Sequence, residues 1–250
     1  MKLVVYTALF ADPKLPLEEV GQFFPFVHPK EDVEYVAFTN RKDLKSEFWD
    51  VRVVKKSKIL SPRMQSRFHK WNPTKISLPE HTHSIWMDSQ CYFNVLPKPV
   101  VEHLLQEDKF HTVIHHHTDL TSVYVEGMVT AYVYDNDKPS VVNKQLERYF
   151  EEGHPYKYDH YETGILIRRN CKESISLGED IYKELTNESI RDQICTPYVV
   201  KKHRDAGDEG ILTLPESFTA HQGSLGLPKS KVFFTVPKPS EKLKEDLTKR

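Results

Sequence analysis

The sequence predicts an α/β fold with a largely parallel central sheet flanked by helices, on three observations. Short β-branched or aromatic runs recur along the chain. Amphipathic stretches of helical period separate many of them, and Pro, Asn, Asp and Gly punctuate the boundaries. Strands that alternate with helices in this way pair mainly in parallel and are covered on both faces.

Residues 3–6 (Leu-Val-Val-Tyr), 35–38 (Tyr-Val-Ala-Phe) and 51–54 (Val-Arg-Val-Val) read as the first buried strands. Ser61 and Pro62 open a helix with a capping hydroxyl and a proline at the first helical position. Met64, Phe68 and Trp71 then recur at helical spacing until Asn72-Pro73 ends it. Residues 84–87 (Ser-Ile-Trp-Met) form a further strand that runs straight into Asp88. A short helix over 99–107, a strand over 112–115 and an amphipathic helix over 141–150, closed by Gly153 and Pro155, come next. A strand at 165–167 precedes helical patterns over 176–185 and 189–199. Strand candidates at 211–214 and 232–236 follow, and 237–250 reads as a polar tail or surface helix. Residues 1–236 are expected to form one domain.

Bulk properties narrow the class. The chain of 250 residues is 38% hydrophobic and 28% charged, as folded globular chains are, and its formal net charge of −1 favours no partner. No apolar run approaches the roughly 18 residues a bilayer span needs, and residues 2–9 suit a strand better than a secretory core. Cys91, Cys171 and Cys195 are odd in number and lack CxxC spacing, so neither a disulfide framework nor a zinc knuckle is expected. A cytoplasmic protein without a membrane anchor is the expectation. Walker, GxGxxG, HExxH and GxSxG motifs are all missing from the sequence.

Four features carry chemistry. Open α/β sheets place ligands at the carboxyl ends of their strands, so Asp88 is well placed to hold a divalent ion against phosphate oxygens. Between residues 51 and 79 there is no acid, while Arg52, Lys55, Lys56, Lys58, Arg63, Arg67, Lys70 and Lys75 are all basic. That stretch suits an anionic ligand, a nucleic-acid backbone or a solvated face. Asp192 and Gln193 interrupt an apolar helical segment with a carboxylate and an amide able to orient a sugar hydroxyl and a leaving group. His115, His116, His117, His203 and His221 offer imidazole nitrogens to a metal.

Taken in order, these residues resemble a glycosyltransferase-like family known from plant mucilage and turgor proteins and from bacterial and viral chains. Phe10-Ala11-Asp12 echoes its Phe-Gly-x-Tyr-Asp turn, Phe38-Thr39-Asn40 its Phe-Thr-[Asp/Asn] strand end, and residues 84–88 its Ser-Ile-Trp-x-Asp. His117, Tyr124 and Glu126 stay in step with a longer His…Tyr…Glu stretch. Gln145, Tyr149, Gly153 and Pro155 keep a Gln-x-x-x-Tyr-x-x-x-Gly-x-Pro pattern, and residues 191–193 keep Arg-Asp-Gln.

The resemblance implies a GT-A-like nucleotide-sandwich fold and a nucleotide-diphosphate sugar donor, a UDP-sugar first. It further implies Mn²⁺ or Mg²⁺ and transfer to a hydroxyl acceptor, either a glycan or a hydroxymethylated pyrimidine in DNA. Thr7, Phe38, Thr39, Arg63 and Lys70 form the expected donor-binding set, with Asp192 and Gln193 at the reacting sugar. Asp88, His117 and His221 form the expected metal set. Two departures bear on that set: residues 88–90 (Asp-Ser-Gln) lack the second carboxylate of an Asp-x-Asp signature, and Leu120 stands where the family has arginine. A metal-dependent amidase-like hydrolase and a non-catalytic sugar or nucleic-acid binding module are the rival readings.

Overall fold

The computed structural model describes residues 1–16, 33–89, 91–92, 96–105, 109–117, 122–134, 137–214 and 234–235. Seven strands, β1 (Leu3–Leu9), β2 (Glu34–Thr39), β3 (Asp50–Val53), β4 (His83–Met87), β6 (Thr112–His116), β7 (Tyr161–Arg169) and β8 (Ile211–Leu214), form one sheet in the order β3-β2-β1-β4-β7-β6-β8. All run parallel except β7, which lies antiparallel to both β4 and β6. Two short strands, β5 (Cys91–Tyr92) and β9 (Phe234–Thr235), pair separately. The expected mainly parallel α/β sheet is therefore present, with one reversed strand that the local pattern does not announce. His221, Leu120 and the 237–250 tail lie outside the described residues.

Six α-helices flank the sheet among the described residues: α1 (Pro62–Trp71), α2 (Pro97–Leu104), α3 (Val123–Met128), α4 (Pro139–Glu151), α5 (Lys172–Asn187) and α6 (Asp192–Asp205). The side-chain period of two along β1 divides the core. Val4, Tyr6 and Ala8 face a cluster with Met64, Trp71, Leu177, Ile181, Ile194 and Tyr198, while Leu3 and Val5 face a second cluster with Val100, Val101 and Leu104. Helices α1, α5 and α6 thus cover one face, and α2 with the segment around Trp49 covers the other. None of the described helices is long and apolar enough to cross a membrane.

Local chemistry sets the start of α1 as expected: the Ser61 hydroxyl accepts from the Met64 amide at 3.2 Å, and Pro62 occupies the first turn. The helix stops at Trp71, and Asn72 leads into a 3₁₀ turn over Pro73–Lys75. Residues 189–191 precede α6 rather than lie inside it, because the helix begins at Asp192. The connection from β3 to α1 emerges at the carboxyl edge of the sheet, so the helix runs back beneath it. Ser66 Oγ donates to the Ala8 carbonyl at 3.3 Å, and Tyr6 OH donates to the Lys70 carbonyl at 3.1 Å.

Helices α1 and α5 approach closely at Gly178, where an added Cβ would sit 2.3 Å from the Trp71 carbonyl oxygen. That oxygen belongs to the helix backbone and cannot swing aside. Gly178→Ala is expected to destabilise the fold by about 1–3 kcal/mol through this overpacking. At Gly127 the nearest atom is the tip of the flexible Leu146 side chain, so Gly127→Ala should cost less. Urea unfolding midpoints of the two variants against the parent check the difference.

Candidate functional site at the carboxyl edge of the sheet

A buried ionic cluster lies where α1, β4, β7 and α6 meet. Asp192, the first residue of α6, is 1% exposed, and its Oδ1 lies 3.0 Å from Arg67 Nη2 while its Oδ2 lies 2.7 Å from Lys70 Nζ. Thr163 Oγ1 on β7 donates to Oδ2 at 2.9 Å. Lys70 is wholly buried, with Nζ 5.6 Å from the Trp71 ring centre, 5.9 Å from that of Trp86 and 3.8 Å from Asp88 Oδ1. Trp86 Nε1 donates to the same Asp88 oxygen at 2.9 Å.

The electrostatics follow from this packing. Burial alone would raise the Asp192 carboxyl, but the charges of Arg67 and Lys70 and the Lys70 hydrogen bond overcome it and hold the group well below the usual carboxylate range. Burial lowers the Lys70 ammonium from its ordinary value, against the opposing pull of Asp192 and Asp88. A carboxylate enclosed on both oxygens by cations orients those cations and is screened from a sugar in this conformation.

Arg63 differs from its neighbours. It is half-buried one turn before Arg67 and has no ion pair or hydrogen bond among the described residues. Burial lowers its pKa, the charges of Arg67 and Arg191 lower it further, and those of Asp192 and Asp137 oppose the shift. A half-buried guanidinium without an ion pair or hydrogen bond among the described residues suits an anionic ligand.

Half of the basic stretch that the sequence singles out is neutralised by acids from elsewhere in the chain. Arg52 pairs with Asp50 at 2.8 Å, Lys75 pairs with Glu179 at 2.8 Å, and Arg67 and Lys70 share Asp192. The expected donor-binding residues are distributed unevenly. Thr7, Phe38 and Thr39 are enclosed in strands β1 and β2, with the Phe38 ring 4.9 Å from that of His69 and Thr39 Oγ1 accepting from the Arg41 amide at 3.1 Å. Arg63 and Lys70 do converge on the cluster. Gln193 is half-buried and makes no side-chain hydrogen bond among the described residues.

The two loops matched to the family's early motifs hold each other. Asn40 Oδ1 accepts from the Ala11 amide at 3.0 Å and its Nδ2 donates to the Ala11 carbonyl at 2.7 Å. Arg41 Nη1 donates to the Leu15 carbonyl at 2.6 Å. Asn40 therefore ties the β1 and β2 exits together.

Asp88, with its side chain 31% exposed and only Oδ1 engaged by Trp86 and Lys70 among the described residues, presents a single protein carboxylate, and Mg²⁺ is commonly held by one or two carboxylates plus a substrate's phosphates. His117 does not join Asp88 in a ligand group among the described residues; it lies with Glu126 and His160 instead. Neither Arg191 as a neighbour of Arg63 nor His160 has a local signal in the sequence, because both are brought in by strand and helix packing.

A cleft at the opposite end of the strands, lined by His111, Asp180, His203 and Asp208, is occupied by its own pairs. His111 Nε2 lies 2.9 Å from Asp208 Oδ1, and His203 Nε2 lies 2.9 Å from Asp180 Oδ2.

The cluster makes one thermodynamic demand. Asp192→Asn leaves Lys70 and Arg67 buried without their counter-charge and should cost about 3–5 kcal/mol of stability. The double variant Asp192→Asn with Lys70→Met should recover part of that loss, as read from urea unfolding of the three proteins.

The sequence profile of the TOD1/MUCI70 glycosyltransferase-like domain matches residues 26–214, which include β2 to β8 and every side chain of the ionic cluster. The structure is similar to that of a glycosyltransferase involved in the glycosylation of the major capsid of PBCV-1, at 12% identity over 80% of this chain and 84% of that chain, with a TM-score of 0.43. No curated protein matches the chain. The profile covers well over half of the sequence, and the chain belongs to the TOD1/MUCI70 family of glycosyltransferase-like domains.

Proposed function

We propose that the protein transfers a sugar from a nucleotide-diphosphate donor, a UDP-sugar first, to a hydroxyl acceptor at the carboxyl edge of the sheet. The observation that carries this reading is Arg63, a half-buried guanidinium that makes no ion pair or hydrogen bond among the described residues. A diphosphate supplies the missing charge, and bidentate contact suits its oxygens. Family membership supports the same chemistry.

In this reading Arg63 binds the diphosphate and stabilises it as it leaves. Asp88 offers its carboxylate beside the phosphates, where Mn²⁺ or Mg²⁺ supplies charge neutralisation when bound. Lys70 and Trp86 fix the position of Asp88 through the contacts described above. Asp192 is a positioning residue that acts through Arg67 and Lys70, and Gln193, with its amide free beside it, hydrogen-bonds the sugar.

Neutralisation of half the basic stretch weakens the case for a nucleic-acid backbone as acceptor and favours a glycan. Exposed aromatic rings add to that case: Tyr132 and Tyr134 are 56% and 60% exposed on and just after a π-helical turn at Val129–Val133, which continues α3. Such rings suit stacking against sugar faces. Hydroxymethylated DNA remains the second acceptor to assay, because Lys55, Lys56 and Lys58 carry further positive charge.

The test is release of nucleoside diphosphate from a panel of nucleotide sugars with Mn²⁺, with oligosaccharides and hydroxymethylated DNA supplied in parallel across a salt series. Transfer to oligosaccharide that varies little with salt is expected, and transfer to DNA alone would overturn the acceptor assignment. No release with any donor would overturn the function itself. Arg63→Gln is expected to raise the donor KM by about ten-fold or more, in keeping with loss of a charge-assisted contact. Gln193→Ala should instead lower kcat by about ten-fold with the donor KM little changed, which steady-state kinetics separate.

A further inference from the structure

The strongest unassigned group among the described residues lies at the ends of β6 and β7, beyond Asp88. His117 follows β6, His160 immediately precedes β7, and Glu126 projects from α3. One ligand-capable atom from each lies within 4.8 Å of the other two. Antiparallel pairing of β6 with β7 brings the histidines together: the His117 amide donates to the His160 carbonyl at 2.8 Å, and the two rings are 5.2 Å apart.

His160 is the informative member. It is 2% exposed, yet neither ring nitrogen has a hydrogen-bond partner among the described residues. A buried imidazole left in that state carries a desolvation cost that native structures rarely tolerate. Its Nε2 faces Glu126 Oε2 at 3.7 Å, too far for a hydrogen bond of about 2.9 Å. Two ligands each about 2.1 Å from a shared tetrahedral ion stand about 3.4 Å apart, close to the spacing observed.

Glu126 is prepared for the same task. Arg191 Nε lies 2.6 Å from Oε1, and Thr130 Oγ1 donates to that same oxygen at 3.3 Å. Both outer contacts use Oε1, so Oε2 is directed toward His160. Outer partners of this kind orient metal-ligating carboxylates.

We propose that His117, Glu126 and His160 form a binding site for a transition-metal ion of the Zn²⁺ class. Two imidazoles with one carboxylate favour such an ion over Mg²⁺ or Ca²⁺, which prefer all-oxygen shells. Three protein ligands leave a coordination position open, and half-buried His117 gives the site its access. The site is separate from Asp88. Asp88 is bonded to β7 at Gly164, where its amide donates to the carbonyl at 2.7 Å, and four residues, roughly 13 Å of strand, separate that point from His160.

This inference does not depend on the sugar-transfer reading, and its test needs no donor. The metal-free full chain is titrated with Co²⁺, followed by its visible absorption, and with Zn²⁺ and Mg²⁺ by calorimetry. The expected result is one Co²⁺ bound per chain, displaced by Zn²⁺ and unaffected by Mg²⁺. His160→Ala and His117→Ala should each weaken binding at least about ten-fold, and Asp88→Ala should leave it unchanged. The half-buried His117 keeps the test decisive if His160→Ala fails to fold by circular dichroism. No Co²⁺ binding to the parent chain would leave a buried His160–Glu126 ion pair and overturn the proposal. So would binding that His117→Ala does not alter, or that Asp88→Ala abolishes.

Discussion

The ion cluster centred on Asp192 is the constraint on which the carboxyl edge of the sheet depends. Two cations from one helix, Arg67 and Lys70, lie against a single carboxylate that opens another, with Thr163 of β7 completing its hydrogen bonding. Removing charges of this size from water is costly, and only their mutual proximity offsets it. The cluster therefore fixes the relative placement of α1, α6 and β7 more tightly than apolar packing alone would. It also sets the surroundings of Asp88, because the same buried Lys70 ammonium lies beside that carboxylate.

The molecule consequently handles charge at this edge in two ways. Arg67 and Lys70 are spent on internal structure, whereas Arg63, one turn earlier, makes no ion pair or hydrogen bond among the described residues. The distinction matters for function because an arginine already paired gains little from a ligand. Along one helix, then, residues of the same charge divide between holding the scaffold and presenting charge to what binds it.

How far the sequence reveals this depends on whether each signal is local. The Ser61-Pro62 opening, the Asn72-Pro73 stop and the apolar strand ending at Asp88 are properties of a few adjacent residues, and each is seen in the structure. The basic stretch is visible too, but its neutralisation is not, since Asp192 and Glu179 lie more than a hundred residues further along the chain. Thr7, Phe38 and Thr39 sit near the ends of their strands, yet strand ends do not reveal whether a side chain faces a cleft or the core. His160 carries no periodic or motif signal at all. Its meaning comes from the strand that follows it being reversed, a tertiary fact that apolar runs do not encode.

That reversed strand has a consequence for how the chain assembles. Among the described strands β7 alone bridges β4 and the β6-β8 pair, so β6 joins the sheet only once residues 161–169 are made. Until then β4 is the open edge of a four-stranded half-sheet, with its outer backbone groups unpaired. Open edges of this kind pair readily with other chains. During synthesis the vulnerable interval runs from the completion of β4 to the emergence of β7. A fragment ending before residue 161 would remain in that interval permanently, with its edge available to the next copy.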